Sequence, residues 1–498
     1  MTFTTIKSLL IYFILLFGAT SFAQSISGKV LSDKEEPISY ATVQIGEHFG
    51  VITNEEGSFS INTSGFEPTD SVKISCMGYE KIGMLLNEFE SQDYHLIEKV
   101  NELSEVYLTN RMLTLDSILY YMDKNLDNNY KTKMVNYNLF RRTTQYIQGK
   151  NVNLEIDKST GFKKKQLEAF NKEFQELGNS LLNNRSKQYT EFVADLSVLD
   201  EKNSKMTIDK AMRLLDERND QTIERLAERG KDIVTKHLDT NKVYTVKTGW
   251  FKISDSVKLG ESSRENNKME DTINSVGLIR KLTYEMLKEH NFKSGSIFNF
   301  VTDQRKYDYE LKGISFLDSE LVYVVDFKPR RGSADFEGTL YISNQTFAVL
   351  KTDYKYFKGR VGEKLNMKFL LGIKYAENGK SGSVIYKKGP DNYYYPKFIT
   401  EEIDRYFYID RPFKFKENDG NNKVSFEFLV EGTFKERNEL LIMGTNDITN
   451  SDYEAIKEEK DIDYETPKQY DPNFWKDYNV LQPLQEMKDF KVDETYTP

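Results

Sequence analysis

The chain has 498 residues, 13% of them aromatic and 30% charged, with 10 prolines and a net charge of −9. That length leaves room for several domains, because single cores stop growing near about 250–300 residues. The acidic balance excludes the basic footprint that nucleic-acid binding needs, and a lone cysteine, Cys76, excludes an intramolecular disulfide.

Met1 to Ala23 reads as a secretory signal. Lys7 supplies the positive start, Leu9 to Phe17 an unbroken apolar run, and Ser21 and Ala23 the small residues before a cleavage site. The run is too short to span a bilayer, and no cysteine follows it for lipid attachment. The expected product is exported and begins near Gln24. No later stretch is apolar enough for a transmembrane helix.

Residues 24–108 form the first expected domain. Ile26, Gly28 and Val30 alternate with Ser27 and Lys29, and Ala41, Val43, Ile45 and Val72, Ile74, Cys76 repeat the pattern. Such alternation marks half-buried antiparallel strands. Asn54-Glu55-Glu56-Gly57 is a short hairpin loop, with Gly57 suited to its left-handed position. Several short strands with regular turn signals predict a β-sandwich, with Cys76 as a buried thiol. These residues also resemble a known family. The pattern carried by Gly28, Val30, Pro37, Ile38, Ala41, Val43, Ile45, Gly50, Thr53, Asn54, Gly57, Phe59, Ile61, Ser75, Gly78 and Tyr79 is similar to the carboxypeptidase-D regulatory-like domain, a transthyretin-like sandwich. Leu103 to Leu108 resembles the short strand that follows this domain at the front of TonB-dependent outer-membrane receptors. The resemblance implies a non-catalytic interaction module and a Gram-negative cell envelope.

Residues 109–300 read as a helix-rich region with a few strands. Leu115, Ile118, Leu119 and Met122 recur at helical spacing, and the segment after Asn129 reads as extended. Lys163 to Asp239 is charged, and Ile208, Met212, Leu215, Ile223, Leu226 and Ile233 form one apolar stripe of an expected surface helix. Lys242 to Lys258 returns to a strand pattern, and Gly277 to His290 is helical again.

Residues 301–448 hold strand after strand with short connections, which predicts an antiparallel meander. Leu321, Tyr323, Val325 and Phe327 alternate with Val322, Val324 and Asp326, so both faces are partly apolar. One face must be covered, and the helices before Phe300 are the nearest candidates. Phe327-Lys328-Pro329 and Gly338 to Ser343 resemble the curved half-barrel of lipoprotein-carrier-like envelope proteins. Residues 449–498 read as an acidic tail with a short docking helix. Asp471-Pro472 suits the helix start, and Phe474, Trp475 and Tyr478 are expected to pack it onto the sheet.

No catalytic constellation emerges. His95 and Glu98 match the H-x-x-E zinc pair of metallocarboxypeptidases, with His237 as a third ligand. On a strand, however, residues three apart point to opposite faces. Asp123, Asn125 and Asp127 imitate the start of a calcium loop, but Asn128 and Met134 stand where Gly and Glu belong. Gly379-Lys380-Ser381 ends like a phosphate loop without its first glycine, and Lys328, Arg330 and Arg331 form a basic hairpin. No catalytic, cofactor or metal residue is assigned.

The expected architecture is α+β and multidomain: a transthyretin-like sandwich, a helix-rich middle and a curved antiparallel half-barrel. The expected function is a non-enzymatic exported envelope protein, periplasmic or outer-membrane associated, that binds an envelope protein or an apolar ligand. A zinc hydrolase and an outer-membrane β-barrel are the alternatives.

Overall fold

The computed structural model describes residues 25–47, 49–99, 113–160, 163–183, 185–215, 229–230, 232–234, 238–239, 241–248, 251–258, 274–293, 295–317 and 320–492. The expected signal at 1–23, the strand at Leu103–Leu108, and Ile223, Leu226 and His237 lie outside these residues. The described residues divide into two compact units, one within Met1–Val100 and Asp471–Lys488, the other within Asn101–Tyr470 and Asp489–Pro498.

The first unit is a sandwich of two small sheets. Strands β1 (Ser25–Ser32), β4 (Ser58–Asn62) and β7 (Tyr94–Leu96) form one, in the order β4-β1-β7. Strands β2 (Thr42–Ile45), β3 (Phe49–Ile52), β5 (Ser71–Ser75) and β6 (Ile82–Leu85) form the other, in the order β3-β2-β5-β6. The alternating residues supply the core: Val30, Ala41, Val43, Ile45, Ile61 and Ile74 are fully buried. Gly57 closes the hairpin before β4 at φ +72°, and a Cβ there would meet the Val30 carbonyl oxygen at 2.5 Å. Cys76 lies just past β5 and is half-buried against this core.

The C-terminal segment departs from expectation twice. Residues 471–478 fold as consecutive turns rather than a helix. They also belong to the sandwich unit, not to the large sheet, with Phe474 and Trp475 buried. Backbone pairing explains the choice. Asn54 Nδ2 donates to the carbonyls of Gln482 (3.2 Å) and Pro483 (3.0 Å), and Asn479 Oδ1 accepts from the Asn62 amide at 2.7 Å.

The second unit is dominated by a sheet of fourteen described strands. It opens with helix α1 (Leu115–Asn129), capped by the Thr114 hydroxyl, and strand β8 (Val135–Ser159). Helix α2 (Lys164–Asn183) is followed by β9 (Arg185–Val198), β10 (Ser204–Leu215), β11 (Val243–Thr248) and β12 (Phe251–Lys258). Then come helices α3 (Val276–Glu289) and α4 (Asn299–Thr302) and strands β13 (Tyr307–Leu317), β14 (Glu320–Pro329), β15 (Phe336–Ser343) and β16 (Val349–Tyr356). Strand β17 (Lys364–Met367), the single turn α5 (Lys368–Leu371), β18 (Ile373–Lys388), β19 (Tyr394–Asp410), β20 (Phe413–Glu417) and β21 (Lys423–Asp447) complete it.

The main path runs β10-β9-β8-β21-β19-β18-β16-β15-β14-β13, antiparallel throughout. β10 and β13 end it and do not pair with each other, so the curved sheet is open rather than the closed barrel considered above. Bulges at Ser425/Phe426, Glu431/Gly432 and Ile442/Gly444 bend the 25-residue β21.

One expected helix is overturned. Ile208, Met212 and Leu215 lie on β10, paired with β9 from Ser204 to Leu215. The spacing does not mark one face here: Met212 and Leu215 stand three apart in an unbroken stretch of the ladder and so point to opposite sides of β10. The ladder with β9 outweighs local helix preference.

Side chains in register across the sheet share a face. One row runs Thr143–Asn438–Glu401–Gly382–Tyr354–Gly338–Phe327. The adjacent row on that face runs Arg141–Leu440–Ile399–Val384–Thr352–Leu340–Val325. Helices cover this face, as the two-sided apolar pattern requires. Arg141 Nη1 donates to Thr283 of α3 at 2.9 Å, and the Phe300 ring of α4 stacks on Phe327 at 4.1 Å.

Candidate functional site

The polar row meets the C-terminal end of α3 in a buried network. His290, just past α3, is 1% exposed. Its Nδ1 sits 2.8 Å from the Met286 carbonyl oxygen, so that nitrogen carries the proton, and Nε2 accepts from the Tyr354 hydroxyl at 2.6 Å. Burial holds the imidazole pKa below its ordinary value, which keeps the ring neutral. Glu401 is paired by Lys380 Nζ at 2.9 Å, and Lys380 also reaches Glu289 at 3.3 Å. Burial pushes the Glu401 carboxyl up, but its neighbours His290, Lys380 and Tyr354 together outweigh this and hold it below the usual range. The network fixes the end of α3 to β16, β18 and β19.

Beside it lies a cavity of about 560 Å³, walled by Tyr130, Tyr137, Tyr284, Phe292, Tyr386 and Tyr394. The volume falls within the range of small-molecule sites. Its lining also includes Lys131, Lys202 and Lys288 with Glu201, Glu285 and Glu289. Most wall hydroxyls are engaged elsewhere. Tyr130 donates to the Val349 carbonyl at 2.9 Å, Tyr386 to that of His290 at 2.7 Å, and Tyr284 to that of Asp200 at 2.8 Å. These residues therefore offer the cavity ring surface rather than hydroxyls. Tyr137 differs: it is 4% exposed, and its hydroxyl has no hydrogen-bond partner among the described residues. Lys397, which follows the lining residue Pro396 in sequence, is buried, its Nζ donating to the Ile442 carbonyl at 2.8 Å, and burial pushes its ammonium down to about 7.

A second buried charge cluster sits on the opposite face. Arg142 Nε donates to Glu191 at 2.5 Å, Nη1 lies 3.5 Å from Glu439, and Arg437 Nη2 donates to Glu439 at 3.0 Å. It is a compensated structural network.

The sequence candidates resolve individually. His95 is on β7 and half-exposed, with Nε2 3.1 Å from Glu35, while Glu98 pairs with Lys34 at 3.6 Å. No group of three or more His, Cys, Asp or Glu residues arranged to hold a metal occurs among the described residues. Asp123, Asn125 and Asp127 lie on helix α1, and Asp127 pairs with Lys293. Gly379-Lys380-Ser381 lies inside strand β18, and its lysine is the buried partner of Glu401. Arg330 lies beside Asp308 at 3.8 Å in an exposed turn. Sequence reasoning missed His290, Tyr354, Glu401 and Tyr137. A His directly after a helix, together with charged residues inside strand runs, was the available signal.

The fold thus defines a class: a mostly-β, multidomain protein with an N-terminal sandwich module and a large open sheet covered by helices. Residues 26–108 match the family model described as a CarboxypepD_reg-like domain, as the motif implied. No curated protein matches the chain. Among solved structures, a DUF1329 family protein from Desulfovibrio piger ATCC 29098 aligns over 63% of this chain and 90% of its own, at 12% identity and a TM-score of 0.17. Lipovitellin, described for its lipid–protein interactions, aligns over 66% of this chain and 27% of its own, at 7% identity and a TM-score of 0.22. Neither likeness is strong enough to define the fold. Among the described residues, no helix is long and apolar enough to cross a membrane.

Proposed function

We propose that this is an exported, non-enzymatic binding protein of the cell envelope, in which the aromatic cavity at the end of α3 holds a small amphiphile. The observation that carries the reading is the cavity itself. Rings supply an apolar wall, charged residues of both signs line it as well, and the Tyr137 hydroxyl, which has no hydrogen-bond partner among the described residues, is available to orient a ligand. The regulatory-like match at residues 26–108 supports a non-catalytic role for the N-terminal module, as an adaptor to an envelope partner.

Uptake of the apolar probe N-phenyl-1-naphthylamine by the purified chain tests the cavity. Thr132 lines it, and Thr132→Trp is expected to weaken uptake at least about ten-fold by filling the space. Tyr137→Phe is expected to leave probe uptake intact but to weaken amphiphiles with a polar head. Uptake unaffected by Thr132→Trp refutes the site. Osmotic-shock fractionation tests export, and recovery in the cytosol refutes it.

A further inference from the structure

The β17–α5–β18 hairpin carries an unusual tip. Phe369 is 103% exposed and Leu370 73%, and Val361 and Leu365 are exposed beside them. Among the described residues, four of the ten exposed large apolar side chains thus fall within residues 361–370. A monomer gains nothing by holding two such neighbours in water.

The tip is also built rather than loose. Gly372 ends α5 at φ +65°, its amide donating to the Lys368 carbonyl at 3.0 Å. Its own carbonyl accepts from the Asp410 amide at 2.8 Å. A Cβ at Gly372 would meet the Asp410 carbonyl oxygen at 2.0 Å, so only glycine fits this turn. The turn fixes Phe369 and Leu370 outward.

Charge surrounds the apolar tip. Within 358–374 the cations Lys358, Arg360, Lys364, Lys368 and Lys374 face a single acid, Glu363, in a chain whose net charge is −9. Among the described residues no carboxylate pairs with Lys364, Lys368 or Lys374. The Lys368 and Lys374 ammonium groups instead lie over the Tyr408 and Tyr406 rings, at 3.9 and 5.1 Å. An apolar wedge with a collar of unpaired lysines matches one environment, acyl chains beneath anionic headgroups. The wedge protrudes, whereas a protein anchor needs a pocket on its partner.

We propose that this hairpin tip docks the protein on an anionic lipid surface, with Phe369 and Leu370 entering the interface and Lys364 and Lys368 meeting lipid phosphates. The proposal is independent of the cavity. Phe369→Trp in the full chain, read as a difference from wild type, reports on this position alone, and its full exposure leaves the core untouched. Vesicles of phosphatidylcholine with phosphatidylglycerol are expected to shift its emission to the blue and, when the lipids are brominated, to quench it. Lys364→Gln with Lys368→Gln is expected to weaken partition by about 25-fold, five-fold per lysine. Emission unchanged by these vesicles overturns the proposal. So does a shift seen only with a lipid-free envelope protein fraction, which would assign the tip to a protein partner.

Discussion

Single residues in the large sheet carry charge where water does not reach. Arg142, Glu191, Arg437 and Glu439 are each at most 5% exposed and compensate one another. Removing one partner leaves a buried charge uncompensated, so Glu191→Ala is expected to cost about 3–5 kcal/mol in urea unfolding. Lys397 gives a pH signature. Its folded pKa is near 7, below the unfolded value, so the unfolded chain holds a proton that the native chain has released. Stability from this group is therefore fully present above the unfolded pKa and is lost as pH falls toward 7. The slope reaches at most about 1.4 kcal/mol per pH unit. Lys397→Met is expected to remove this rise between pH 7 and 9 while keeping the fold. Denaturation midpoints with an unaltered pH slope would place the titration elsewhere.

At the scale of elements, Asn54 shows how one motif residue serves two structures. Its Oδ1 accepts from the amides of Glu56 and Ser58, both at 2.9 Å, which shapes the hairpin. Its Nδ2 holds the carbonyls of Gln482 and Pro483, more than 400 residues away. Asn54→Ala strands four backbone groups, two of them acceptors on the C-terminal segment. The expected loss is about 2–4 kcal/mol, with faster proteolysis of residues 471–488. Equal cleavage in variant and wild type would show that the segment is held by its aromatic residues alone.

For the molecule as a whole, the row from Arg141 to Val325 is the test of how the large sheet is covered. Leu440, Val384, Thr352, Leu340 and Val325 on it are fully buried. Val325→Asp places an unpaired carboxylate among them and is expected to cost at least about 3 kcal/mol, lowering the melting temperature of the sheet unit. A melting temperature equal to wild type would mean that this face is wet.

Much of this was legible from residues alone. Alternation placed the sandwich strands and the strands from Phe298 onward, and helical spacing found α1 and α3, because these patterns record which face of a local element is buried. The two-sided apolar pattern around Val325 also required a cover for the sheet. Three things were decided only in three dimensions. β10 is a strand because β9 offers a ladder, a partner that local periodicity does not record. The segment at 471–488 joins the sandwich because its backbone carbonyls meet Asn54, a contact that leaves no mark on its own residue types. The cavity and its polar network exist because register aligns Asn438, Glu401 and Tyr354 beneath His290. Register is a relation between distant strands, and no single stretch of sequence contains it.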